Sequence, residues 1–135
     1  MIREPENLKV YALADELALQ IHRATGTLPE LERLIFGAQL RGSALAAPLH
    51  IRAGCARPSS EGFVMELGDA TSAAAQCHYL LTLARRVGML PEPDCAALEE
   101  QALHLVRSLL LLMKAERGKQ RARGETMAKV GAGRA

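Results

Sequence analysis

The sequence contains no tryptophan, and aromatics make up only 3% of its 135 residues. That leaves little of the stacking surface that proteins use to grip unpaired bases. β-Branched residues are sparse, so strands are poorly supported. No apolar run approaches the roughly 20 residues of a membrane span, and the opening MIREPEN carries no signal-peptide core. Three cysteines, Cys55, Cys77 and Cys95, fall at no paired spacing. A disulfide framework is not expected, and a reducing cytoplasm is.

Catalytic combinations are also missing. No glycine elbow surrounds Ser59, Ser60 or Ser72, so none makes a nucleophile for His50. Glu99 and Glu100 are adjacent and face different ways on a helix. Cys77-His78, His22, His50 and His104 supply no i,i+4 pair of metal ligands. The expectation is a protein without enzymatic activity, metal or cofactor.

What is abundant is alanine and leucine, which carry most of the 49% hydrophobic fraction, at helical spacing. Val10, Leu13, Leu17, Ile21 and Ala24 make one stripe of a first helix, capped by Asn7 and ending near Thr25. Phe36, Leu40, Ala44, Ala47 and Ile51 make the stripe of a second, from about Glu32 to Ala56. Pro48 interrupts it, and because the stripe continues past the proline a kinked helix is predicted. A serine cap follows Arg57-Pro58. The third helix then carries Phe63, Leu67, Ala70, Ala74, Cys77, Leu81 and Ala84 at alternating four and three, a heptad seam. Gly88 suits its C-terminal end. Leu98, Ala102, Leu105, Leu109 and Leu112 repeat the spacing in a fourth helix that should end near Arg117.

The fold class is therefore all-α: an antiparallel up-down four-helix bundle over residues 1–117, followed by a disordered basic tail, 118–135. In the tail Lys119, Arg121, Arg123, Lys129 and Arg134 face only Glu125, while the whole chain carries just +2. On the body, Arg41, Arg52, Arg57, Arg85, Arg86, Arg107, Lys114 and Arg117 extend the candidate phosphate-binding set of the tail's Lys119, Arg121 and Arg123. Leu109, Leu110, Leu111, Leu112 and Met113 are apolar on every side of the helix. Such a segment is covered all round, either deep within one bundle or by another protomer. An oligomer interface is the expectation drawn here.

Several segments together resemble a known family. They are Leu8-Lys9-Val10-Tyr11, Leu28-Pro29, Gln39-Leu40-Arg41, Ala47-Pro48 with Ile51 and Gly54, Arg57 with Ser59, Phe63 with Leu67 and Ala70, and Leu83-Ala84-Arg85-Arg86 with Gly88. In register they are similar to the four-helix proteins encoded by intervening sequences of bacterial large-subunit rRNA genes. The accessory variability proteins of diversity-generating retroelements share that fold. The resemblance runs ungapped from Leu8 to about Leu90, and in pattern to Arg117. It implies a homopentamer without chemistry of its own, binding RNA or DNA and a reverse transcriptase; a structural role without nucleic acid is the alternative. Where the family has Asn-Ile-Ala-Glu-Gly after the proline, this chain has His50-Ile51-Arg52-Ala53-Gly54, and a family Glu on helix three becomes Gln76. A hydrogen bond between His50 and Gln76 is the expected replacement.

Overall fold

In the computed structural model, which describes residues 3–133, helices account for nearly the whole chain. A 3-10 turn, Pro5–Asn7, leads into α1, Lys9–Thr25. The next rod has three consecutive pieces: α2, Glu30–Glu32, a π-helical turn, Arg33–Gly37, and α3, Ala38–Cys55. Then come α4, Ser60–Arg86, and α5, Glu92–Gly133. α4 packs on α3 and α5, and α1 packs on the same two from the other side. Short connections make the rods antiparallel, so the predicted bundle is the observed one.

The third-helix seam lies as the spacing predicts: Phe63, Leu67, Ala70, Ala74, Cys77, Leu81 and Ala84 are all buried. They meet Leu17 and Ile21 of α1, Leu40 and Ile51 of α3, and Leu105 and Leu109 of α5 in one core. The end of α4 is a Schellman motif. Gly88 adopts φ 70°, its N–H donates to the Arg85 carbonyl, and the Met89 N–H donates to the Ala84 carbonyl.

Four details depart from the sequence expectations. Asn7 does not cap α1; it lies in the 3-10 turn, and Leu8 precedes the helix without a side-chain bond. Pro48 sits inside α3 as expected, but the π-helical turn upstream has no counterpart in the spacing. The Arg41 guanidinium donates to the Arg33 carbonyl at 3.2 Å, occupying an acceptor at that wider turn.

The disordered tail is the third correction: α5 passes Arg117 unbroken to Gly133. Ala, Arg, Lys, Gln and Met are good helix formers, so propensity carries the rod on after the apolar stripe ends. Arg134 lies outside the described residues. The fourth concerns the apolar segment of α5. Leu109 and Met113 join the protein's own core, while Leu110 and Leu111 are 52% and 68% exposed. One chain does not cover the segment all round.

Candidate nucleic-acid interface

Cations from three distant parts of the chain meet where α4 begins. Ser59 caps the helix by accepting from the Gly62 N–H at 3.0 Å. The free N–H groups of this 27-residue helix present the positive end of its dipole. Beside it, Arg3 donates to the Ser60 hydroxyl at 3.1 Å and Arg123 at 3.5 Å. Arg3, Pro58, Ser60, Glu116, Lys119 and Arg123 line a cleft of about 200 Å³. Glu116 is buried there and takes Lys119 as its counter-ion at 3.3 Å. Beyond this point α5 is exposed; the ten residues from Gly124 to Gly133 project about 15 Å at the usual helical rise.

The structure thus brings Arg57, Lys119 and Arg123 of the candidate set to one end of the bundle, with Arg3, which sequence reasoning missed. Lys114, Arg117 and Arg121 approach the same end along the exposed side of α5. Arg41, Arg85, Arg86 and Arg107 lie elsewhere. Several cations already have partners. Arg52 donates to the Tyr11 hydroxyl at 2.8 Å and to Glu6 at 3.1 Å, which raises its pKa further, the tyrosine contributing most. Arg57 is paired with Glu66, and Arg85 with Glu99.

The Arg85 pair has a pH signature. Hydrogen bonding from Arg85, then from Thr82, holds the Glu99 carboxyl below the ordinary carboxylate range. A depressed folded-state value contributes stability above the unfolded value, and the contribution is lost as pH falls through the folded one. Glu99→Gln should therefore unfold at a lower temperature than wild type at pH 7, and the gap should close on acidification. Thermal melts across that range check it; a gap independent of pH would contradict the assignment.

A second polar group sits between α3 and α4, close to Pro48. The His50 Nδ1–H donates to Glu66 Oε2 at 2.8 Å, and Arg57 donates to Glu66 Oε1 at 3.0 Å. These two bonds, His50 first, hold the Glu66 carboxyl below the ordinary carboxylate range. Asp69, one turn further along α4, adds a second carboxylate: one donor atom each from His50, Glu66 and Asp69 lie within 4.8 Å of one another. The expected His50–Gln76 bond is not formed. The antiparallel register sets His50 level with Glu66, and Gln76 is exposed beside Gln39 and Tyr79. Spacing of His and Cys alone missed this group because two of its three members are acids. The cysteines stay apart from it chemically: burial pushes the Cys77 thiol up to about 12 and raises Cys55 and Cys95.

The family model for the 23S rRNA-intervening sequence protein matches residues 6–110. The chain belongs to that family. A crystal structure of a protein with unknown function, from the S23 ribosomal protein family of Bacteroides thetaiotaomicron, superposes with a TM-score of 0.73 at 19% identity. It covers 78% of this chain and 98% of its own. No match emerges among curated proteins. The match to the intervening-sequence family takes in the His50–Glu66 group and the start of α4. Lys119 and Arg123 lie past its end, so the basic cleft joins family scaffold to a C-terminal extension that the family model leaves unmatched. Among the described residues no helix is long and apolar enough to cross a membrane.

Proposed function

We propose that the protein is a non-enzymatic, homo-oligomeric bundle that binds the phosphate backbone of RNA or DNA, with a reverse transcriptase as partner in the manner of the retroelement accessory proteins it resembles. The observation that carries this reading is the gathering of Arg3, Lys119 and Arg123 around the N-terminus of α4, with exposed Lys114, Arg117 and Arg121 leading to it along α5. Fixed cations beside the positive end of a helix dipole attract phosphate without reading sequence. Among the described residues no aromatic side chain lines this cleft, so binding is to the backbone and not to stacked bases. Repetition of the patch around an oligomer multiplies weak interactions.

The test is a mobility-shift titration over a range of salt. The full chain should bind, with log affinity falling linearly against log salt. Lys119→Ala/Arg121→Ala/Arg123→Ala should weaken binding roughly ten-fold or more and flatten the slope by about 0.9 for each duplex phosphate that is no longer neutralised. Absence of binding at low salt would refute the proposal. A second reading, an interaction bundle with no nucleic-acid role, is favoured by one feature: the outward face of α3 carries Ala38, Gly42, Leu45, Leu49 and Ala53, all exposed. A null titration with an intact oligomer would establish that reading instead.

A further inference from the structure

We infer that His50, Glu66 and Asp69 form a binding site for one divalent transition cation of the zinc type, bridging α3 and α4. Glu66 and Asp69 are three apart on α4, a spacing that sets both carboxylates on the same side of the helix. His50 enters from α3, and the three donor atoms lie within 4.8 Å of one another. The His50–Glu66 pair is already at 2.8 Å. Bound zinc holds nitrogen and oxygen ligands at about 2.0–2.2 Å, which in a tetrahedral site places neighbouring ligands about 3.4 Å apart. The His50–Glu66 pair has to open slightly and the Asp69 side chain has to close. Asp69 is exposed and is free to make that movement.

The surroundings suit a cation with open positions. Two carboxylates balance the charge of a divalent ion. Arg57 bonds Glu66 Oε1 and leaves Oε2 for the ion, so it orients a ligand from outside the coordination sphere. The His50 side chain is 39% exposed, which gives the ion an entry path and water to complete its sphere. On binding, the imidazole carries its single proton on Nε2, the tautomer that frees Nδ1 to be the donor atom. One imidazole with two carboxylates selects a borderline ion. Calcium and magnesium prefer oxygen alone, and softer ions prefer thiolate. A bound ion would clamp α3 to α4 just past Pro48, where Gly54 already lets the helices approach: an added Cβ there would stand 3.1 Å from both Glu66 Cβ and Phe63 Cδ1.

The test is calorimetric titration of the metal-stripped full chain with zinc alone, followed by cobalt absorption spectroscopy. One saturable equivalent should bind and raise the melting temperature. His50→Asn and Asp69→Asn should each weaken binding ten-fold or more, whereas His22→Asn and His104→Asn should not. Asp69 is exposed, so its variant keeps the fold and stands as the decisive arm should His50→Asn be unstable. Cobalt should show d–d bands without a thiolate charge-transfer band. Unchanged affinity in Asp69→Asn, a thiolate band, or no saturable binding overturns the site.

Discussion

Alanine at Phe63 should lower the stability of the bundle by about 3–5 kcal/mol, the cost typical of emptying a large aromatic site in a core. Phe63 is 1% exposed and is the largest of the fully buried side chains. It stands at the first turn of α4, where the heptad seam starts, so its removal leaves the α3–α4 packing unsupported at one end. Across from it is Gly54, and the ring and the glycine define each other's space. The Arg3 guanidinium also lies over the ring, 4.2 Å from its centroid. The converse change is Gly54→Val, which adds volume where there is none. It should cost about 1–3 kcal/mol through overpacking. It should also separate His50 from Glu66, since the new side chain meets Glu66 Cβ as closely as it meets the Phe63 ring. Urea unfolding reads both: each variant should shift the midpoint at constant slope. If Phe63→Ala cost less than about 1 kcal/mol, close approach of α3 and α4 at this level would not be what anchors the seam.

Much of the fold is legible because helix-helix packing is written in spacing. The α4 seam from Phe63 to Ala84 needs nothing beyond its four-three alternation, and all seven residues are buried. The α1 stripe is nearly as clear: Val10, Leu17 and Ile21 are buried, with Leu13 and Ala24 at the edge of the core. Gly88 marks a helix end by supplying the left-handed backbone that the end requires.

The expectations that fail depend on information that spacing does not hold. The end of the apolar stripe in α5 looks like the end of the helix, but propensity alone continues it. The π-helical turn has no motif; its visible signs are exposed Leu34 and Ile35 and the Arg41 bond. The His50–Glu66 bond depends on the register of α3 against α4, which neither helix specifies by itself. Arg3 and Ser60 are 57 residues apart, so the basic cleft appears only once the rods are packed. The candidate cations, chosen by type, scatter over the bundle: charge is legible in a sequence, but which charges converge is a property of the packed rods.

The oligomer calls for the strongest test, because it rests on two apolar faces rather than one. α3 and α5 each pack on α1 and α4 but make no extended contact with each other, so they occupy diagonal corners. Both show grease on the outside. On α3 and the turn before it, Leu31, Leu34, Ile35, Leu45 and Leu49 are 51–66% exposed, and nothing stands within 4 Å of a Cβ added at Gly42. On α5 the exposed pair is Leu110 and Leu111. Faces on opposite corners favour a head-to-tail arrangement, in which the α3 face of one copy meets the α5 face of the next and the chain closes into a ring. Leu45→Glu/Leu49→Glu and Leu110→Glu/Leu111→Glu should therefore each abolish the ring, because an unpaired carboxylate in either interface is costly to desolvate. Light scattering should give a multiple of 14.6 kDa for wild type and a single 14.6 kDa unit for either variant, with helicity retained since all four side chains are exposed. Each variant keeps one good face. Mixed at equal concentration they should pair once and stop, giving a dimer of twice the monomer mass. A ring that survives the α5 variant would instead mean a two-fold interface through α3 alone, and a wild type that scatters as a single unit would remove the multivalent cationic surface on which nucleic-acid binding is proposed to depend.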